Sequence, residues 1–309
     1  MHVKEVMRRR SDLRRLLLVV GTVLAAIFLS QSPAAQAPSA CPGESSLFHP
    51  CALGRAKSYQ PPRTPDGKPD LQGFWRGVPS GTENVEEHPK TDDDDGGKSL
   101  IIDPADGKIP YQPWAKARQA ENRGTYIEPN VPCFPSGVPR SLYVPTQIEI
   151  LQSPGYVAII TQSNSDVRII PLDGSPMPPP NVHAWLGIAR GHWEGNTLVV
   201  LTTNFNDKTP ATNFQGSTEN LKMTERFTLV NPTTVKYEYT LEDPHTWTRP
   251  WSVESYIPRV PPGIFEFACH ESNYGVMNVV KGAQTREKEL IDKGLPIGAA
   301  GGAAGGGGQ

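Results

Sequence analysis

Beyond Leu29 the sequence has no apolar run long enough to cross a bilayer, so no later stretch can serve as a membrane span. It has almost no net charge: 30 Lys and Arg stand against 32 Asp and Glu. That leaves no basic field of the kind nucleic acid demands, and no nucleic-acid partner is expected. Internal repeats are missing, which argues against a propeller. There is no G-x-S-x-G, so a nucleophile elbow is excluded, and no glycine-rich nucleotide loop ahead of a helix. His88, His183, His192, His245 and His270 show neither H-x-x-x-H nor H-x-H spacing. No metal or other cofactor is therefore expected.

What is present begins with a leader. Arg8, Arg9, Arg10, Arg14 and Arg15 precede an apolar run from Leu16 to Leu29, and Ala35-Gln36-Ala37 follows as a small-residue cleavage site. This is the pattern of a secretory signal peptide over 1–37, and it predicts export to a periplasmic or extracellular compartment. The arginine pairs do not complete a twin-arginine signal. Export changes the reading of the four cysteines, because an even number in an oxidising compartment points to disulfides. Cys41 and Cys51 flank the short loop PGESSLFHP and are expected to pair locally. Cys133 and Cys269 remain for each other.

Proline is abundant, at 32 residues, and clusters outside the apolar runs. That favours strands and loops over long helices. Residues 38–66 read as a Pro-rich extended arm, 67–293 as one β domain, and 294–309 as a disordered Gly/Ala-rich tail. Within the domain, DLQGFWRG reads as a first strand. The acidic loop containing Asp92 to Asp95 matches no calcium-loop spacing and reads as solvated. YQPWAKARQAENRG reads as a short helix with Pro113 in its first turn. PTQIEILQSPGYVAIITQSNSDVRIIPLDG gives three short strands, ARGHWEGNTLVVLTTNF two, and the segment from Asn220 to Val260 three more. The cleanest alternation sets Val235, Tyr237, Tyr239 and Leu241 against Lys236, Glu238, Thr240 and Glu242. IFEFACHE reads as the last strand, with Phe265, Phe267 and Cys269 on its core face, and a helix follows from about Asn273 to Lys293. The expected fold is mainly β: an antiparallel meander of eight or nine strands closing into a barrel, or else a sandwich, with a C-terminal helix.

LQGFW, Leu71 to Trp75, resembles the G-x-W first-strand signature of lipocalins. The resemblance implies a lipocalin-like barrel in which Trp75 packs at the closed end and takes no part in chemistry. The insertion between Trp75 and Cys133 departs from that pattern. Across most of the mature chain, TPDGKPDLQGFW, RIIPLDG, WEGNTLVVLTTNF, TERF, DPHTWTRPW and ACHESNYG resemble a family of secreted bacterial proteins common in acidobacteria. That resemblance implies export and brings no activity with it.

Two dense stretches hold the candidate site residues. In DPHTWTRPW, an extended chain places Asp243, His245, Trp247, Arg249 and Trp251 on one side, where the indoles suit an apolar ring and Arg249 a carboxylate or phosphate. The competing reading packs the tryptophans and pairs Asp243 with Arg249. In ACHESNYG, His270 and Glu271 point apart on a regular strand, so Cys269 in a disulfide with polar neighbours capping the next helix is the plainer account. His183 and Trp185 join them on a Pro-rich loop of the kind that carries binding residues. The leading functional expectation is a small-molecule binding module. A barrel enzyme comes next, using His245 or His270 as general acid/base with Asp243 or Glu271. An envelope interaction protein comes third.

Overall fold

The computed structural model describes residues 59–77, 81, 84–91, 94–125, 133–206 and 219–295, without the side chains of 121–125. The segment read as a leader, Cys41 and Cys51, Asp92 and the residues beyond 295 lie outside the described residues. Ten strands are described: β1 (Gly73–Arg76), β2 (Ile101–Asp103), β3 (Gln147–Ser153), β4 (Tyr156–Thr161), β5 (Val167–Pro171), β6 (Ile188–Glu194), β7 (Thr197–Thr203), β8 (Lys222–Asn231), β9 (Thr234–Glu242) and β10 (Trp251–Pro258). The helices are α1 (Pro113–Thr125), α2 (Arg140–Tyr143) and α3 (Gly275–Asp292).

The strands make two antiparallel sheets, ordered β1-β3-β4-β5 and β2-β10-β9-β8-β7-β6. Hairpin chemistry sets most of this order. Gly155 and Gly195 sit at positive φ in the tight β3–β4 and β6–β7 turns, where a side chain would be strained. At the β8–β9 turn, Asn231 Oδ1 accepts the Thr233 N–H at 2.9 Å. The predicted alternation on β9 holds: Val235, Tyr237, Tyr239 and Leu241 are buried, and Lys236, Glu238, Thr240 and Glu242 are not. β8 repeats it with Met223, Glu225, Phe227 and Leu229 inward. The core is the space enclosed by these inward rows and by Trp75, Ile148, Ile150, Val157, Ile159 and Ile170 of the smaller sheet. Each such aliphatic side chain contributes roughly 1.5–3 kcal/mol on burial.

The two sheets approach at both margins. Trp75 bridges to Arg259 just past β10, and the Val260 N–H donates to Phe74 O at 2.9 Å. At the other margin β5 lies beside β6. There Gly191 is needed for space, since a Cβ would run into Ile170 and Leu172. No ladder among the described residues joins β5 to β6, so the architecture is two antiparallel sheets around a shared core.

Two expectations are corrected. IFEFACHE forms no strand, and Phe265 is 66% exposed, not on a core face. Phe265 has no paired neighbour to lie against, because the strand pairing of this segment ends at Val260. β2 was not anticipated: it arises inside the insertion and pairs with β10 through Val253–Ile101 and Ser252–Asp103. The same insertion carries α1, and beyond Cys133 comes α2, whose Ser141, Leu142 and Tyr143 are buried. The C-terminal helix is present as α3, with no buried residue.

Candidate functional site

The candidate site is the end of the interior that meets the loop between β9 and β10. The register stacks inward residues in rows: Glu225 beside Tyr239, Tyr239 beside Val253, Phe227 beside Tyr237, Tyr237 beside Ser255, and Leu241 beside Trp251. The rings form a contiguous series. Centroids lie 4.9 Å apart for Phe227–Tyr237, 5.6 Å for Tyr237–Tyr239, 6.4 Å for Tyr239–Trp251 and 5.5 Å for Trp251–Trp247. Tyr143 of α2 stacks on Tyr239 at 6.2 Å and covers this end.

The loop itself is a turn. The buried Asp243 carboxylate accepts the His245 N–H at 3.0 Å and the Thr246 hydroxyl at 2.9 Å, and Asp243 O accepts the Trp247 N–H at 2.8 Å. This is the local side-chain-to-backbone bonding that aspartate offers a turn. It breaks the two-residue period, so the five residues do not share a side. Trp247 and Trp251 are wholly buried, with their rings edge to face. His245 packs on Trp114 at 5.0 Å, and the Trp114 indole donates to His245 O at 3.0 Å. Arg249 pairs with Asp103 at 2.7 Å, so the anticipated Asp243–Arg249 pair does not form.

The second dense stretch is a turn on the surface. Cys133 and Cys269 are joined by a disulfide, as the cysteine arithmetic predicts. Asn273 donates to Cys133 Sγ at 3.0 Å and accepts the Gly275 N–H at 2.8 Å, securing the start of α3. His270 and Glu271 are exposed. His183 is exposed with Nδ1 2.8 Å from Phe205 O, and Trp185 stacks on Phe134 at 5.6 Å. The structure brings Trp247 and Trp251 together, and gathers none of His183, His245 and His270 with them.

Sequence reasoning missed a buried ionic group. Arg168 from β5 meets Glu225 from β8 in a two-point contact, Nη2–Oε2 at 2.6 Å and Nη1–Oε1 at 3.0 Å. The Tyr237 hydroxyl donates to Glu225 Oε1 at 2.9 Å, and Arg168 also donates to Thr202 Oγ1 at 3.2 Å. Burial acts to depress the guanidinium, but the facing Glu225 outweighs it and holds Arg168 above its ordinary value. Burial, then the negative Glu225, pushes the Tyr237 hydroxyl well up, so it stays a donor. The signal was in the pattern: Arg168 and Glu225 occupy inward positions of alternating strands. A charge at such a position needs a buried partner.

Two buried donors at the site have no acceptor among the described residues, Trp247 Nε1 and Trp251 Nε1; Ser255 Oγ is unpartnered as well. Toward the Trp75 end the interior is filled, leaving an apolar cavity of about 10 Å³ bounded by Trp75, Leu142, Ile150, Phe227 and Ile257. That volume is near the lower limit for one water, and its walls offer no polar partner. Among the described residues no group of three His, Cys, Asp or Glu is placed to hold a metal ion. None of their helices is long and apolar enough to cross a membrane. No protein-family model matches the chain. No curated protein matches it either.

Proposed function

We propose that the protein is an exported, lipocalin-like barrel that binds a small aromatic or apolar molecule carrying a hydrogen-bond acceptor. The two sheets form the barrel wall, with the Trp75–Arg259 bridge and the β5–β6 approach as its seams. The observation that carries the binding reading is the pair of buried indole N–H groups without acceptors beside Tyr239. Buried donors are paired in native proteins with few exceptions, and each exception calls for a water, an ion or a ligand. The ligand's acceptor meets Trp247 and Trp251, its apolar body takes the place of Tyr143, and α2 lifts to admit it. The Arg168–Glu225–Tyr237 group is the floor of the site.

The enzyme reading has less support. Asp243 is committed to the backbone of its own turn, not to the His245 imidazole, and His270 and Glu271 lie on the surface.

The test begins with native and denaturing mass spectrometry of protein from cells expressing the whole chain. The denatured mass is expected to start near Pro38 and to show two disulfides, and the native mass to carry an organic adduct. Titration with 8-anilinonaphthalene-1-sulfonate, which has aromatic rings and an acceptor sulfonate, is expected to quench tryptophan emission. Trp247→Phe with Trp251→Phe should weaken that probe at least tenfold while melting stays cooperative. Equal affinity in the double variant would sink the reading.

A further inference from the structure

The outer faces of the two sheets differ in kind. On the six-stranded sheet, the outward residues of β8 and β9 are Lys222, Thr224, Arg226 and Thr228, then Lys236, Glu238, Thr240 and Glu242. That is the clean alternation of a sheet with one face in water. On the four-stranded sheet the alternation fails. One outward row runs Phe74, Glu149, Ile160, Val167; the next runs Leu151, Ala158, Ile169; the last ends in Tyr156 and Pro171. Leu151, Tyr156, Val167 and Ile169 are between 42% and 54% exposed. Strands that are apolar on both faces are the pattern of a sheet covered on both faces.

The same chain carries a second uncovered apolar surface. Val276, Val279 and Val280 of α3 fall at helical spacing and make one stripe, with Met277 on its flank. Each of these four is at least 40% exposed, and α3 buries no residue. The start of the helix is fixed by the disulfide and by Asn273, and from there the chain's own α3 leaves its stripe bare.

We propose that the outer face of β3–β5 takes the apolar half of α3 from a second copy of this chain, each copy giving its helix and receiving the other's. Charge fits this occupant. Glu149 is the one carboxylate within the apolar rows, and it has no ion-pair partner among the described residues. Lys281 follows Val280 directly and has none either. Docking the stripe on the Val167–Ile169 rows sets Lys281 against Glu149. Area also fits. One helix-on-sheet contact covers roughly 300–400 Å² on each surface, so two contacts related by a twofold axis bury roughly 1,200–1,600 Å², which is what a stable dimer needs.

The experiment is sedimentation equilibrium of the protein from cells expressing the whole chain, at micromolar concentrations. A dimer is expected. Ile169→Glu and Val280→Glu should each give a monomer that still unfolds cooperatively, since both side chains are exposed within one copy. Glu149→Lys and Lys281→Glu should each weaken the dimer roughly tenfold, and the two together should restore it. A monomer at every concentration would overturn the proposal. So would a dimer indifferent to Ile169→Glu and Val280→Glu, or a charge exchange that restores nothing. A monomer that floats with phosphatidylglycerol vesicles would assign the face to lipid instead.

Discussion

Arg168 and Glu225 meet inside the core from different sheets, with Nη2–Oε2 at 2.6 Å and both side chains at most 5% exposed. The pair couples β5 to β8, which share no ladder. Removing one partner leaves an uncompensated buried charge, whereas removing both leaves packing to decide. Arg168→Met is expected to cost about 3–5 kcal/mol in urea denaturation, and Arg168→Met with Glu225→Met much less. A double variant no more stable than the single one would show that the ion pair is not the relevant unit.

Arg259 lies over the Trp75 ring with its guanidinium carbon 4.1 Å from the centroid, and donates to Gln72 O at 3.0 Å and Pro232 O at 3.1 Å. A Cβ at residue 73 would push that guanidinium aside, and φ there is +127°, a backbone conformation that strains any side chain. Arg259→Ala should cost about 1 kcal/mol, because the guanidinium edge is solvated. Gly73→Ala should cost more. Melting temperatures of the two variants check the order.

Asp166 Oδ2 is buried without a hydrogen-bond partner, and burial pushes its carboxyl up to about 6. The unfolded value is about 3.9. Between these values the folded state holds the extra proton, so this group's contribution to stability is full below about pH 4 and is lost as pH rises through 6. Asp166→Asn should therefore stabilise the protein by about 1 kcal/mol at pH 7.5 and by little at pH 4. Denaturant midpoints at the two pH values test this; an equal gain at both would remove the carboxylate as the cause.

The disulfide spans a sequence separation of 136 residues. Constraining a loop of that length in the unfolded chain is worth about 4–5 kcal/mol in the chain-entropy account. Replacing both Cys133 and Cys269 by serine should lower stability by that order. Native-state hydrogen exchange should then show opening confined first to the segments around Cys133 and the start of α3, since few core contacts hold them.

Much of the fold was legible because the information is local. Alternation along β8 and β9 requires only a few residues to be read, and the turns at Gly155, Gly195 and Asn231 carry their own chemistry. The Cys133–Cys269 bond followed from counting, and α3 from apolar spacing. Local reading failed where a local interaction competed with periodicity. Asp243 bonds its own turn and sends Trp247 inward and His245 outward, which undoes the shared side expected of an extended chain. IFEFACHE has the composition of a strand but no neighbour to pair with.

The sequence alone determined which positions of β9 face inward and where the chain turns at Gly155 and Gly195; the inward Arg168 and Glu225 went unread in it. Only the tertiary structure decided what those charges meet. Arg168 and Glu225 are 57 residues apart, and the Arg259 guanidinium reaches Gln72 O across 187. Such partners are chosen when sheets close on each other, by the cost of leaving a buried charge unpaired, and no periodicity within one strand records that choice.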